Sequence, residues 1–569
     1  VKIPYLTDLG RPRASSETGA DHLILSIVTA WLLIVGIAVF CTTIHGIVNH
    51  YSPIPFSDQW DGYLGFVHQL RLGHRSAWWE QHNEHRLVLA RILFWIDAYI
   101  FGGRNIFLLI AGMSIQFFTL LLFVKQAQKG RTPVPRLAIV GIALSFLFSW
   151  IQQENFVWGF QSQFLMVYLF ALCAFATFGL GIADTRPRWH GTYGASALAV
   201  LATLSMGNGI FVFAILCFQS LIMRRPWREL AVLLVSGGIV ATIYFHGFQR
   251  LDQGFPSVEP HTALRLIPHF FLVFMGSAAF AAERDITVGT IFGLLSLAAM
   301  TYLAVSLYVQ RAITPYRGFL IAGYALVVMS AIAATLGRYP MGIGQATVSR
   351  YDTPMLISLT CLILLGLDTI KNIKWRGIAL LGAAILATWI ASFQRIASID
   401  TPELFQRNLA VLSMKIGLHR PDLTASIYPP QGWPYISQEA KYAEDVHFGP
   451  YASGWLHDAG HVRFSPSQVD NSVCRGYFDD LKHDPAGTIA TGWVVTKHQR
   501  TDPVLILLVD NKDQTVGYGV SGMPRPDVKH ALRTSVNAGW TSFALADTEP
   551  VAAYAYTNAT FCKMTRNPD

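Results

Sequence analysis

The sequence predicts a polytopic α-helical membrane protein whose C-terminal part is a soluble, β-rich domain. Three observations predict it. Only 14% of the 569 residues are charged and 52% are hydrophobic, where an ordinary soluble domain is about one quarter charged. Apolar runs of roughly 20 residues, the length that spans a hydrocarbon core as a helix, recur between residues 23 and 394. Beyond residue 395 those runs stop and short strand-like segments take over. The net charge of +8 is modest and spread over many loops, so membrane lipids are expected around the chain and nucleic acid is not an expected partner.

The first run, 23–44, holds 22 residues without a charge, too long for a signal-peptide core, and is expected to be the first transmembrane helix. Further crossings are expected at 105–124, 137–153, 161–183, 229–248, 286–310, 318–337, 353–370 and 377–394. Residues 189–223 are uncharged but interrupted by Met206-Gly207-Asn208-Gly209, so two short helices are expected to meet at that break. The total is eleven crossings. Basic residues orient them, because cytoplasmic loops are enriched in Lys and Arg. Lys2, Arg11 and Arg13; Lys125, Lys129, Arg131 and Arg136; Arg186 and Arg188; Arg224, Arg225 and Arg228; Arg311 and Arg317; and Lys371, Lys374 and Arg376 all fall on one side. The expectation is a bacterial inner (plasma) membrane protein with a cytoplasmic N-terminus and a periplasmic C-terminal domain. Residues 87–101 and 266–282 are also apolar, but crossings there would move basic loops outside, so both are expected to lie at the outer interface or re-enter the membrane.

On this topology all outer basic residues of the membrane part are arginines: Arg71, Arg75, Arg86, Arg91, Arg104, Arg250, Arg265, Arg284, Arg338 and Arg350. Arginine presents a planar fork of donors that fits phosphate oxygens. Arg338 and Arg350, each followed by tyrosine, bracket a glycine-containing outer loop and are the expected phosphate ligands; ordinary lipid head groups are the competing use.

Residues 1–395 are read as the transmembrane domain, with juxtamembrane helices in the outer loop 45–104, and 396–569 as the outer domain, a place where a glycan could bind. Residues 402–420 read as an amphipathic helix and 421–470 as a Pro-, Gly- and aromatic-rich connection. Strand-like runs follow at 488–496, 503–510, 515–520, 542–546 and 551–557. A β-sandwich is the simplest fold for them. Cys474 and Cys562 are the only cysteines of this part and are expected to form a disulfide, with two buried thiols as the alternative.

Chemistry concentrates in the outer loop 52–86, which carries Asp58, Asp61, His68, His74, His82, Glu84, His85, Arg86 and three tryptophans. A carboxylate just beyond the first transmembrane helix suits a general base that takes the proton of an acceptor hydroxyl, and Asp58 is the first candidate. Asp61, one turn on, could share that role or raise its neighbour's proton affinity. His82, Glu84, His85 and Arg86 are expected to bind substrate. His82-Asn83-Glu84-His85-Arg86 lacks the spacing of a zinc-binding HExxH helix, so no metal ligands are assigned, although a divalent metal stays open as a cofactor. Glu154, Asn155 and Gln161 form another outer cluster, of the amide-and-aromatic kind that sugar sites use.

An outer loop with an acid near its start (Phe56-Ser57-Asp58-Gln59-Trp60-Asp61) and a polar cluster before the next helix (His82 to Arg86) resembles the GT-C superfamily of membrane glycosyltransferases. The resemblance covers residues 20–395 and lies in layout; the Asp-Glu pair of several members is replaced here by Asp58-Gln59. It is a resemblance to enzymes such as the aminoarabinose, mannosyl and arabinosyl transferases, which take sugars from polyprenyl phosphates. It implies inverting transfer from a polyprenyl-phosphate sugar, undecaprenyl in bacteria, to a cell-envelope glycan or glycolipid, with Asp58 as base. The alternatives are a polymerase or ligase of lipid-diphosphate-linked oligosaccharides and a non-enzymatic transporter or assembly subunit. The last would place charges within the helices, which are almost uncharged.

Overall fold

The computed structural model describes residues 19–183, 189–249, 257–484, 487–497, 503–534, 537–544 and 548–566. Lys2, Arg11, Arg13, Arg186, Arg188 and Arg250 lie outside these. Among the described residues eight helices are long and apolar enough to cross a membrane: His22–Asn49, Ile106–Lys129, Gly159–Gly179, Trp227–Phe245, Ile286–Val309, Pro315–Met341, Ser349–Thr369 and Ile373–Ser398. Pro260–Met275 and Ser277–Glu283 form a pair bent by 75°, in the stretch expected to re-enter. Arg136–Gln152 is a shorter apolar helix where the third crossing is expected. Trp189–Ser205 and Phe211–Ile222 meet at a turn over Gly207–Ile210, the expected break. Val88–Ile100, at 13 residues, is too short to cross a hydrocarbon core about 30 Å thick.

The first helix is fixed by a close crossing. A Cβ on Gly36 would lie 2.7 Å from the carbonyl oxygen of Gly141, and one on Gly141 would meet the Leu32 backbone, so the two helices touch backbone to backbone. Near its C-terminal end, Gln394 Nε2 donates to Val39 O and to the Thr42 and Thr43 hydroxyls, while Gln394 Oε1 accepts from Trp150 N at 2.6 Å. These bonds hold the point from which the outer loop departs.

A second hydrophobic core lies beyond the bundle, and two distant parts of the chain build it. The outer loop and the Val88–Ile100 helix supply Trp60, Tyr63, Phe66, Leu87 and Phe94; the C-terminal part supplies Phe405, Leu409, Ile427, Ile436 and Tyr451. One face of the β-sheet enters the same core through Leu505, Leu507, Val509 and Phe543.

The sheet holds the strands β1 (Cys474–Asp484), β2 (Gly487–Thr496), β3 (Leu505–Val509), β4 (Thr515–Met523), β5 (Gly539–Ala544), β6 (Ala552–Thr557), β7 (Thr560–Lys563) and β8 (Thr565–Arg566). Their order is β7-β6-β3-β4-β5-β2-β1-β8, so a single sheet replaces the expected sandwich. It curls like a barrel because the chain runs from β7 at one edge directly to β8 beside β1 at the other. Cys474 on β1 and Cys562 on β7 form the expected disulfide across the two edges, with Cα atoms 6.0 Å apart. Phe478, Val494, Ile506 and Trp540 fill the inside.

Candidate active site

The outer loop leaves the first helix and winds through a tight turn at Ser57–Gln59 and a π-helical turn at Trp60–Gly65. Trp60, fully buried, and Tyr63 anchor the wider turn on the second core, leaving Asp58 and Asp61 half-exposed. Residues 82–85 fold back as a two-residue hairpin, with His82 N donating to His85 O at 2.8 Å and His85 N to His82 O at 2.9 Å. Asn83 takes the left-handed corner at φ 48°.

This hairpin brings His82 to the two aspartates. One ligand atom from each of Asp58, Asp61 and His82 lies within 4.8 Å of the other two. His82 Nε2 lies 3.3 Å from the Asn83 side-chain amide, and His82 Nδ1 lies 3.8 Å from Asp61 Oδ2. The approach depends on Gly62, where a Cβ would lie 2.6 Å from the Phe160 ring and 2.9 Å from His82 Cε1. Burial raises the proton affinity of Asp61; His82 opposes the rise and the Asp58 charge adds to it. Asp61 Oδ1 is sealed from solvent without a hydrogen-bond partner. Two carboxylates and an imidazole so placed also suit a divalent cation of the first transition row.

The expected phosphate ligands are each tied to an expected substrate ligand. Arg338 Nη2 meets both carboxylate oxygens of Glu84 at 3.0 Å, and Arg350 Nη1 meets Glu154 Oε2 at 3.2 Å. Each arginine reaches its glutamate through one terminal nitrogen. The hairpin thus joins the aspartate cluster to the end of the Pro315–Arg338 helix. Asn155 Nδ2 donates to Arg350 O at 2.9 Å and to Thr353 Oγ1 at 2.7 Å, and Asn155 and Gln161 are both buried. Asn155 thereby positions the Arg350 segment. His85 is kept neutral by burial, its proton affinity lowered to about 4. Its Nδ1 lies against Gly207, where a Cβ would stand 3.0 Å away.

Arg86 departs from its expected role in substrate binding. Its guanidinium donates to the carbonyls of Trp79, Tyr244 and His246 at 2.5 to 2.8 Å, and the residue is buried. It clamps the loop to the bundle and has its donors engaged there. Arg91 donates to Trp78 O and Glu80 O, and Asp97 accepts from the Tyr63 hydroxyl at 2.6 Å. These charges on the Val88–Ile100 helix hold the loop in shape.

Sequence reasoning missed the side of the site built by the C-terminal part. Tyr428 and Tyr435, ring centroids 6.4 Å apart, lie within the field of both the Asp58–Asp61 region and each other. Burial and the Asp61 and Asp58 charges push the Tyr428 hydroxyl up to about 12. Gly65 admits Tyr435, whose hydroxyl would crowd any Cβ there. Glu439, on the unforeseen helix Trp433–Asp445, meets His68 Nδ1 at 3.1 Å, and Tyr442 stacks on the same ring at 3.8 Å. The only signal was the aromatic content of 421–470.

No family model matches this chain, and no curated protein does. Among solved structures it is similar to the archaeal oligosaccharyltransferase AglB from Archaeoglobus fulgidus, in complex with an inhibitory peptide and a dolichol-phosphate, at 14% identity and a TM-score of 0.38. The match covers 74% of this chain and 59% of that one, so this chain spans less than two thirds of its length.

Proposed function

We propose that this protein is a GT-C-type membrane glycosyltransferase that moves a sugar from a polyprenyl-phosphate donor to a hydroxyl of a cell-envelope glycan or lipid on the outer face. The observation that carries the reading is the convergence of Asp58, Asp61 and His82 beside two aromatic hydroxyl side chains and next to the Glu84–Arg338 pair. The acceptor hydroxyl loses its proton to a carboxylate of the pair as its oxygen attacks the anomeric carbon. The bond from that carbon to the phosphate oxygen breaks, and the lipid phosphate leaves with the electron pair. Attack opposite the leaving group inverts the sugar.

Asp61 is the better suited of the two as base, because its burial raises its proton affinity toward the working range of a general base. Asp58, beside it, keeps that affinity high through its charge, and His82 holds Asp61 oriented. A divalent cation held by Asp58, Asp61 and His82 would supply positive charge for the departing phosphate. Arg338 and Arg350 bind the phosphate with the donors their glutamates leave free, and Tyr428 and Tyr435 offer ring faces and hydroxyls to a sugar.

The test is transfer from radiolabelled polyprenyl-phosphate sugars in membranes carrying Asp58→Asn or Asp61→Asn protein. Loss of transfer in either variant at unchanged protein level supports the site, and full transfer in both removes it.

A further inference from the structure

Beside the proposed donor site lies Arg407, a cation without a polar partner among the described residues. Arg407 sits on the helix Pro402–Lys415, whose Phe405, Leu409, Ala410 and Leu412 are buried in the core shared with the outer loop. Its guanidinium carbon lies 3.7 Å from the centre of the Phe56 ring, two residues before Asp58. Arg407 has no hydrogen bond or ion pair among the described residues, and its Nε is sealed from solvent. The acidic groups whose charges reach it are Glu403, exposed on the same helix, and Glu154, already held by Arg350.

The contrast with Arg86 is direct, since its Nε, Nη1 and Nη2 each donate to a carbonyl oxygen. A guanidinium N–H sealed from solvent, like the Arg407 Nε, is costly unless an acceptor meets it. A single ring face returns only about 2 kcal/mol at best. Glu403 and Glu154 are the acids whose charges reach Arg407, and Glu154 is ion-paired to Arg350, so neither acid is a hydrogen-bonded partner of Arg407.

We propose that Arg407 is a phosphate ligand of the donor site, acting with Arg350 on the lipid-linked phosphate. This rests on the reading of a polyprenyl-phosphate donor. It makes donor binding depend on the C-terminal domain, because the helix that carries Arg407 is docked by that domain's own core. The sheet then does more than present an acceptor: it holds one jaw of the donor site.

The experiment uses the full chain in detergent, with farnesyl phosphate, farnesol and inorganic phosphate as probes and intrinsic tryptophan fluorescence as readout. Wild type is expected to bind farnesyl phosphate at least about tenfold more tightly than farnesol. Arg407→Ala and Arg407→Lys are expected to weaken farnesyl phosphate by about tenfold while leaving farnesol unchanged, since lysine keeps the charge over Phe56 but not the fork. If Arg407→Ala fails to fold, the lysine variant decides. Wild-type affinity in both Arg407 variants, with loss in Arg350→Ala, overturns the role of Arg407 and spares the donor reading. Equal binding of farnesyl phosphate and farnesol by wild type overturns that reading and this inference with it. Displacement of farnesyl phosphate by inorganic phosphate at equal concentration makes the site one for free phosphate and overturns the lipid assignment.

Discussion

Arg86, Arg91 and Asp97, around the end of the outer loop, and Asp58, Asp61 and His82, at its start and in its hairpin, each combine acidic and basic side chains and lie within 40 residues of chain. In the first group each charge is tied to the loop or its neighbours, three carbonyls on Arg86, two on Arg91 and a tyrosine hydroxyl on Asp97, with Arg91 Nε and Asp97 Oδ1 left sealed without a partner. In the second group two carboxylates converge on each other and an imidazole, and both carboxylates stay half-exposed, whereas Asp97 is fully buried. Buried charges tied to neighbouring groups carry the loop's shape. The half-exposed cluster stands where that shape delivers it, and that separation distinguishes scaffold from chemistry here.

The comparison breaks most visibly in activity. Asp61→Asn is expected to lower transfer by roughly 10²- to 10⁴-fold, the range of a lost general base, with an unchanged melting midpoint. Loss of fold in Asp61→Asn with its activity per folded molecule intact would reverse the assignment of the two groups. Arg86→Ala, which frees three buried carbonyls and removes charged donors, is expected to cost about 3 kcal/mol of stability. Thermal unfolding in detergent reads it, and a midpoint equal to wild type would return Arg86 to the substrate side. Cys474→Ser opens a loop spanning 88 residues of sequence and is expected to cost about 2 to 4 kcal/mol. Limited proteolysis should then cut the sheet domain first.

Smaller effects sharpen the picture of the cluster. Gly62→Ala pushes on the Phe160 ring and His82, with an expected cost of about 1 to 2 kcal/mol in stability, the range of an overpacked core position. Its activity should fall more than its stability, because His82 is displaced from Asp61. The pH profile separates the neighbours of Asp61. Activity requires the Asp61 carboxylate, so kcat/KM should be lost as pH falls through a value above the usual 3.8. Removing the His82 charge by His82→Gln should move that limb to higher pH, and Asp58→Asn should move its residual activity to lower pH. Shifts of the same sign in both variants would contradict the electrostatics proposed here.

The long apolar runs and the break at Gly207–Ile210 were legible because helix length and glycine placement are local properties. The disulfide was legible from cysteine count. The single curled sheet was not, because strand order depends on which distant edges meet, and alternation within a strand does not report it. Arg86 stood in a polar cluster with His82 and Glu84, and sequence could not reveal that its donors end on backbone carbonyls from another helix. Arg407, Tyr428 and Tyr435 were hidden for a related reason. Their roles come from contacts with Phe56 and the Asp58–Asp61 turn, more than 340 residues earlier in the chain, and their own surroundings in sequence read only as an amphipathic helix and an aromatic-rich connection.

The most direct test is mass spectrometry of lipids that stay bound to protein purified from its native membrane, comparing wild type, Asp61→Asn and the Arg338→Ala, Arg350→Ala double variant. The account predicts a polyprenyl-monophosphate sugar on wild type, more of it on Asp61→Asn, which binds donor without consuming it, and none on the double variant. A diphosphate-linked oligosaccharide in its place would give the site to a polymerase or ligase, and the absence of any polyprenyl lipid from both wild type and Asp61→Asn would contradict the account.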